Sequence, residues 1–309
     1  MSPSSLYRSF GLLCLASLIL WWHTLITTLE LALRDDEYSH ILLVLPISVV
    51  LIFVEWRLHK PQPEPNFRAG LALLVIAVVI GSIGGWLCGR GGLAVDLRLT
   101  LGMLTVVTWW IGSFVYCFGT SISRICLFPL CFLLWVVPLP AFALHHIVSF
   151  LQQGSAYAAR LLFTMARVPV AQDGVRLSVP GLTVEIAAEC SSIRSSLILL
   201  ITSVVVCHLL LRSAWSKVFI IFAAIVLCIA KNGLRIFILS MLAIDVDPGF
   251  LHGWLHHHGG IVFFLLTSAI LFVLLRLVGW VERRQNLQAS VTQLVNSIAM
   301  SKANAGNVL

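Results

Sequence analysis

Hydrophobic side chains are arranged along this chain in long runs that are separated by short polar segments. A helix needs about 20 mostly apolar residues to cross the ~30 Å hydrocarbon core of a bilayer. Eight runs approach that length, and the second and fifth are short. They cover residues 9–29, 40–55, 70–88, 98–118, 122–138, 191–211, 217–242 and 260–280. The pattern predicts an all-α polytopic membrane protein, a bundle of about eight transmembrane helices.

The composition supports this prediction. Hydrophobic residues make up 59% of the 309 positions, charged residues make up 11%, and the mean hydropathy is +0.99. A water-soluble domain carries about a quarter charged residues, so this chain has too little polar surface to cover a soluble particle. The first run follows Arg8 as a signal peptide would, but Trp21 and Trp22 stand where a cleavage site needs small residues. We therefore expect an uncleaved first span.

The net charge of +7 is explained by membrane topology rather than by nucleic acid binding. Cytoplasmic loops of membrane proteins are enriched in lysine and arginine. If the amino terminus lies inside, the inner loops carry basic residues: Arg57, Lys60, Arg68, Arg124, Arg212, Lys217, Arg283 and Arg284. The outer loops then carry acidic residues: Asp35, Asp36, Glu37, Asp96, Asp173, Glu185, Asp245 and Asp247. We predict both termini inside, a lipid bilayer as environment and no nucleic acid partner.

One long segment outside the membrane is predicted at about residues 141–189. The fifth run stops at residues 138–140 (Pro-Leu-Pro), and residues 141–167 mix apolar and polar positions as a helix on a membrane surface does. Residues 170–188 hold two alternating runs separated by a Pro-Gly pair, which predicts a short β-hairpin. This hairpin leads directly into Cys190.

Two further segments lie on the predicted inner side. Prolines alternate with other residues at positions 61–65, which predicts a stiff loop. Residues 284–309 form a polar cytoplasmic tail, which we expect to be loosely ordered, and residues 1–283 form the membrane domain.

Cys190 differs from most of the eight cysteines. Six others lie within or at the ends of hydrophobic runs, where a free thiol behaves as a small apolar side chain. Cys190 stands at a polar-to-apolar junction and would open the sixth helix with Arg194 on the same face. The helix amino end and the arginine favour a thiolate, whereas Glu189 opposes it. The pattern fits a reactive thiol and equally an incidental cysteine.

Lys231, Asn232 and Arg235 interrupt the seventh run. An ionisable residue that faces lipid costs at least ~2.5–3.5 kcal/mol, so we expect these side chains to face the bundle interior or a wet cavity. Asn232 and Arg235 are three residues apart and share a helix face. A cation near a helix end can instead reach the interface by snorkelling, but these residues lie well inside the run, which favours a functional site.

A histidine cluster introduces the eighth run. Its members are His252, His256, His257 and His258. The first two are spaced as metal ligands on a helix are, but the pattern of a zinc-protease helix is absent and glycines at 259–260 favour a turn. We expect no metal. Under the predicted topology, Cys190, Arg235 and His256 all lie toward the outer face, where they can form one site.

Taken together, these segments resemble the exosortase/archaeosortase family of membrane cysteine transpeptidases over about residues 35–280. Residues 190–194 (Cys-Ser-Ser-Ile-Arg) resemble the family's Cys-Ser-Gly-Ile-Arg block, with Ser192 where glycine is usual. Residues 232–235 (Asn-Gly-Leu-Arg) resemble its Asn-x-x-Arg block. Residues 256–260 resemble its His-x-x-x-Gly block. Supporting matches are residues 38–40 (Tyr-Ser-His), 128–129 (Phe-Pro) and 138–140.

The resemblance implies a protein-sorting enzyme of a bacterial inner membrane, with its site facing the periplasm and with no cofactor. Cys190, Arg235 and His256 would be catalytic, and Arg194 and Asn232 would position the substrate. Three histidines remain alternatives to His256: His252, His257 and His258. Substrates would be membrane-anchored exported proteins whose C-terminal signal joins a Pro-Glu-Pro motif, one transmembrane helix and a basic tail. The product would pass to an envelope acceptor, a step often coupled to exopolysaccharide production.

Two other functions use the same residues. A transporter, or an assembly component for exopolysaccharide export, would use buried Lys231 and Arg235 as an anion path. The inverted repeats or paired broken helices typical of transporters are not evident in the sequence. An intramembrane metalloprotease would use the histidine cluster, and EDTA would then stop its activity.

Overall fold

A computed structural model of the chain describes residues 3–89, 94–186, 193–247 and 254–306, and these residues are mostly helical. The helices in chain order are α1 Pro3–Leu20, α2 Trp22–Arg34, α3 Ile41–His59, α4 Phe67–Gly89, α5 Val95–Ile125, α6 Leu127–Phe132, α7 Ala141–Met165, α8 Ile193–Leu210, α9 Ala214–Asp245 and α10 Trp254–Gly306. A 3-10 turn at Leu133–Val136 follows α6. The all-α architecture predicted from the hydrophobic runs is confirmed.

The number of spans differs from the prediction of about eight. Within the described residues, α3, α4, α5, α9 and the Gly260–Gln285 part of α10 are each long and apolar enough to cross a membrane. Two further candidates are pairs of helices joined by a sharp bend. The bend is 76° between α1 and α2, and it is 95° between Leu127–Val136 (α6 with the 3-10 turn) and α7. Helix α8 is apolar but shorter, Arg194–Leu210. The protein is therefore a polytopic membrane protein, and its described residues contain five to seven candidate spans rather than exactly eight.

Two of the predicted runs correspond to bent helix pairs rather than to single straight helices. At the second bend, Pro138 and Pro140 lack a backbone donor and the segment between the helices is extended. Next to the first bend, the Trp109 indole donates a 3.0 Å hydrogen bond to the Leu13 carbonyl, and its ring centroid lies 5.4 Å from that of Trp21. A run of apolar residues indicates a segment that can be buried in a membrane, but it does not indicate where the helix bends.

The described chain forms two compact units, Met1–Val148 and Ser149–Leu309. Helix α5 is the centre of the first unit, and its buried side chains include Met103, Val106, Val107, Phe114 and Phe118. Helix α4 packs along it through small residues: a Cβ on Gly112 would lie 3.1 Å from Leu73 Cβ, and one on Gly70 would overlap Tyr116. Glycines at these positions let two membrane helices approach closely.

Gly119 is the point where the proline-rich loop meets α5. Its φ of 85° and ψ of 172° lie in a region that is essentially restricted to glycine. A Cβ at this position would overlap the carbonyl oxygen of Glu64, which belongs to the loop between α3 and α4. The loop therefore packs against backbone that only glycine leaves open.

Polar side chains hold the Pro138–Pro140 segment in the first unit. The Thr100 hydroxyl donates to the Pro138 carbonyl at 2.9 Å, and the Tyr38 hydroxyl donates to the Leu139 carbonyl at 3.1 Å. The backbone N–H of Ala141 donates to Asp96 Oδ2 at 2.7 Å. Tyr38 of the Tyr-Ser-His segment thus stabilises the turn that leads into α7.

His40 belongs to the same cluster and is 7% exposed. Its Nδ1 lies 3.1 Å from the Glu37 carbonyl oxygen, and its ring also bonds the backbone of Trp135. Burial lowers the pKa of His40, and these carbonyl contacts oppose the shift without reversing it.

The second unit is built around α9. Helices α8, α9 and α10 share an apolar core that includes Leu199, Ile220, Ala224, Leu271 and Leu275. Near the middle of α10, Glu282 Oε1 accepts hydrogen bonds from the backbone N–H groups of Arg212 and Ser213, at 2.8 and 2.6 Å, just before α9 begins. The carboxylate therefore satisfies donors that the start of a helix leaves without intrahelical partners.

A small antiparallel sheet lies in the second unit, with strands β1 Ala171–Asp173, β2 Arg176–Val179 and β3 Leu182–Glu185 in the order β1-β2-β3. The predicted hairpin is confirmed as β2 and β3, and β1 adds a strand that the sequence did not predict. Gly181, with φ of 79°, supplies the positive φ of the turn. Leu177 and Val179 face inward onto Phe163 and Ile236.

Helix also extends further than expected at the end of the chain. The tail from residue 285 was expected to be loosely ordered, yet α10 continues to Gly306. The helical backbone of this tail was not predicted from its polar composition. Between residue 285 and Gly306 the chain has no proline or glycine to end the helix.

The Gly119 geometry makes a testable prediction. Gly119→Ala is expected to lower the free energy of unfolding by about 1–3 kcal/mol or more, because it adds backbone strain and a clash with the loop. Denaturant unfolding in detergent micelles would measure it. Gly11→Ala is the control, since nothing lies within 4 Å of a Cβ there and the position is helical. Equal stability of the two variants would contradict the prediction.

The buried imidazole predicts a pH dependence of stability. Because the pKa of His40 is lowered in the folded state, its neutral form contributes stability above about pH 6.5, and this is lost as the pH falls through the lowered value. His40→Gln should flatten the decline of the melting temperature between about pH 6.5 and pH 5, whereas His145→Gln, at an exposed position, should not. An unchanged pH profile in His40→Gln would refute this.

Candidate functional site

The predicted site residues fall partly outside the described chain. Cys190 and His252 lie outside the described residues. The backbone of His256 belongs to the first turn of α10. The side chains of His256, His257 and His258 are not among those that the structure describes. Arg194, Asn232 and Arg235 are described. The described part of the site therefore lies on α8 and α9.

The polar residues of α9 lie inside the protein, as the cost of exposing them to lipid predicts. Lys231 is 5% exposed and Asn232 is 1% exposed, while Arg235, one turn further along, is half-buried. The Asn232 amide donates a 3.0 Å hydrogen bond to the Ser155 hydroxyl of α7. This bond fixes the side chain of Asn232 against the partner helix.

Small residues allow α7 and α9 to approach at that level. A Cβ added to Gly233 would lie 2.5 Å from Ala158 Cβ and 3.0 Å from the Ala159 nitrogen. A Cβ on Gly154 would lie 3.1 Å from Ile229 Cδ1. Glycine at both positions brings the backbones close enough for the Ser155 hydroxyl to reach Asn232.

Helix α8 is joined to α9 by a second polar contact. The Lys231 ammonium donates to the Ser195 hydroxyl, with Nζ and Oγ 2.5 Å apart. Ser195 lies in the first turn of α8, and the Cys228 thiol, one turn before Lys231, contacts the Ser196 carbonyl oxygen at 3.9 Å. Arg194 precedes Ser195 and is exposed. The start of α8 is therefore positioned by α9.

Residues on both sides of the 187–192 segment are held by hydrogen bonds. On one side, Gln152 of α7 donates to the Ile186 carbonyl at 2.9 Å, and the Ile186 N–H donates to the Val175 carbonyl at 3.1 Å. On the other side, Ser195 accepts from Lys231. The described residues thus anchor the chain on either side of the predicted nucleophile to α7, the sheet and α9.

The sequence missed three of these residues: Gln152, Ser155 and Ser195. Serine is common in membrane helices. The local sequence does not distinguish a serine that accepts a hydrogen bond from a buried amide on another helix from one that donates to a carbonyl of its own helix. Small residues four apart, such as Gly154 and Ala158, mark a close helix contact. That spacing was the available signal. Among the described side chains, no group of three or more metal-ligating residues could hold a metal ion.

Comparison with known proteins gives one match. A family model described as Transmembrane exosortase matches residues 21–273, which is well over half of the chain. No curated protein and no solved structure matches the chain. The matched range includes the three motif segments at 190–194, 232–235 and 256–260.

The close contact of α7 with α9 can be tested. Gly233→Ala is expected to destabilise the fold by about 1–3 kcal/mol, because the added methyl overlaps Ala158 and the helices must separate. Gly279→Ala is the matched control in α10, where a Cβ would lie an ordinary 3.5 Å from Leu211. Thermal unfolding in micelles measures both. A Gly233→Ala variant as stable as the control would show that the contact does not limit the packing of α7.

Proposed function

The chain belongs to the transmembrane exosortase family, and on that premise we propose that it cleaves exported proteins at a C-terminal sorting signal through a cysteine nucleophile. Membership in the family supports a membrane protein-sorting role. It implies membrane-protein substrates that carry sorting signals and a lipid bilayer environment. The cysteine chemistry is the finer part of the proposal, and three motif segments within the matched range support it.

In the proposed reaction, the Cys190 thiolate attacks the carbonyl carbon of the scissile peptide bond. The tetrahedral intermediate collapses to a thioester and releases the amine of the downstream segment. His256 removes the thiol proton and then protonates that amine. An acceptor nucleophile from the envelope then attacks the thioester, which frees the cysteine and completes the transfer.

Arg235 would stabilise the oxyanion of the tetrahedral intermediate. A permanently charged donor in a low-dielectric site is well suited to that role, and one such fixed donor is worth about 2.7–4 kcal/mol. Its half-buried position, one turn from Asn232, supports the assignment. The observation that carries most weight is the anchoring around the reactive segment, because a nucleophile must be held in place to react efficiently.

Arg194 and Asn232 would act by positioning. Asn232 bonds Ser155 and so holds α7 against α9, which also carries Arg235. Arg194 is exposed in the first turn of α8, where it can contact a bound peptide. The substrate helix would lie beside the bundle, with its Pro-Glu-Pro motif at the outer face.

The proposed location is the inner membrane of a bacterium, with both termini in the cytoplasm and the site facing the periplasm. The distribution of basic and acidic loop residues supports this orientation. Exposed apolar side chains on the candidate spans, such as Val49, Phe53, Ile76 and Phe222, support direct contact with lipid.

The nucleophile is tested by substitution. Cys190→Ala is expected to abolish processing of a co-expressed reporter that carries the sorting signal, because no thioester can form. Cys131→Ala, at an exposed cysteine of α6, should leave processing unchanged. Immunoblotting of the reporter, with membrane fractionation of both variants, measures the outcome.

Full processing by membrane-inserted Cys190→Ala would exclude the cysteine mechanism. A non-enzymatic role, such as transport or assembly, would then be the better account of the buried cation on α9.

A further inference from the structure

Lys231 is an exceptional charge in this protein. Among the described side chains, it is the only lysine, arginine, aspartate or glutamate that is buried, with 5% exposure. It lies near the middle of α9, on a span, and not at a helix end where a long side chain can reach water. Its charge must therefore be compensated inside the protein.

The described residues supply little compensation. The ammonium has three donors, and its hydrogen bond goes to the neutral Ser195 hydroxyl. None of the described carboxylates lies within the 4.0 Å of an ion pair with Lys231. In the second unit, Glu185 pairs with Arg176 and Glu282 binds the N–H groups before α9. Asp245 is 14 residues further along α9, about 21 Å away along the helix axis.

Two features close to Lys231 are positive. Arg235 lies one turn further along α9 and carries a charge of the same sign as the Lys231 ammonium. Ser195 lies in the first turn of α8, which is the positive end of that 18-residue helix. Replacing a buried charge by an apolar side chain of similar size is often neutral or stabilising. The arrangement favours a negatively charged ligand.

We propose that Lys231 and Ser195 form a carboxylate-binding subsite that receives an acidic side chain of the peptide substrate. The inference rests on the proposed function, because it needs a peptide at the α8–α9 junction. Ser195 follows Cys190 by five residues, so a peptide that reacts with the cysteine passes close to this subsite. An ammonium is a compact point charge, and it suits a single carboxylate oxygen. In a Pro-Glu-Pro signal, the glutamate is the group that fits.

The subsite predicts a preference that Lys231 controls. The test compares two reporters in cells, one with a Pro-Glu-Pro signal and one with Pro-Gln-Pro. The unmodified protein is expected to process the glutamate reporter about tenfold or more faster, as expected for a hydrogen bond to a charged partner. Lys231→Met should remove this ratio, leaving both reporters at a similar low rate. Ser195→Ala, which keeps the cation, should reduce the ratio by less.

Lys217→Met is the matched control, because it removes a cation from the same helix 14 residues before Lys231. It is expected to keep the full preference for glutamate. The melting temperature of Lys231→Met in micelles is the second measurement, and it should equal or exceed that of the unmodified protein, since an apolar side chain replaces a buried charge.

Three results would overturn the subsite: no preference in the unmodified protein, an undiminished preference in Lys231→Met, or a lower melting temperature in that variant. The last would identify the lysine as a structural element. Each is distinct from failure of the proposed function, which is judged by Cys190→Ala on the glutamate reporter.

Discussion

Polar groups inside a membrane protein must find partners within the protein, because lipid offers no hydrogen bonds. In the second unit this constraint determines how α7 and α8 pack on α9. The Asn232 amide reaches Ser155 on one helix, and the Lys231 ammonium reaches Ser195 on the other. Apolar contacts around α9 have no preferred direction, whereas these two bonds join α9 to α7 and α8 at defined positions.

The same constraint shapes the first unit. The break at Pro138–Pro140 leaves carbonyl groups without helical partners, and Thr100 and Tyr38 donate to two of them. Asp96 accepts the first N–H of α7. A segment that breaks the helix is thus held by side chains distant in sequence. The hydrogen bond from Tyr38 gives this motif residue a structural role, which is enough to explain why a tyrosine occupies the position.

Sequence reasoning succeeded where the information is local and failed where it is tertiary. Helices at the hydrophobic runs and the hairpin around Gly181 follow from periodicity and turn chemistry, and both form. The bend at Trp21 lies beside Trp109 of another helix, and the unbroken apolar run 9–29 does not indicate it. For the candidate site, the burial of Lys231 and Asn232 followed from the cost of facing lipid. Their serine partners did not, because they depend on how closely α7 and α8 approach.

An anion path and a peptide-binding site require different environments for the Lys231 ammonium, so its burial helps to distinguish the two functions. A path for anions needs cations that exchange ligands along a wet route, so each cation should keep contact with water. Lys231 instead lies 95% within the protein, with its ammonium against the positive end of α8. An enzyme that binds one peptide at a time needs the opposite, a fixed charge that is poorly solvated and therefore gains most from a single carboxylate. Preorganised charge of this kind costs folding free energy and contributes when the ligand arrives, which is why burial at α9 favours a binding site over a conduit.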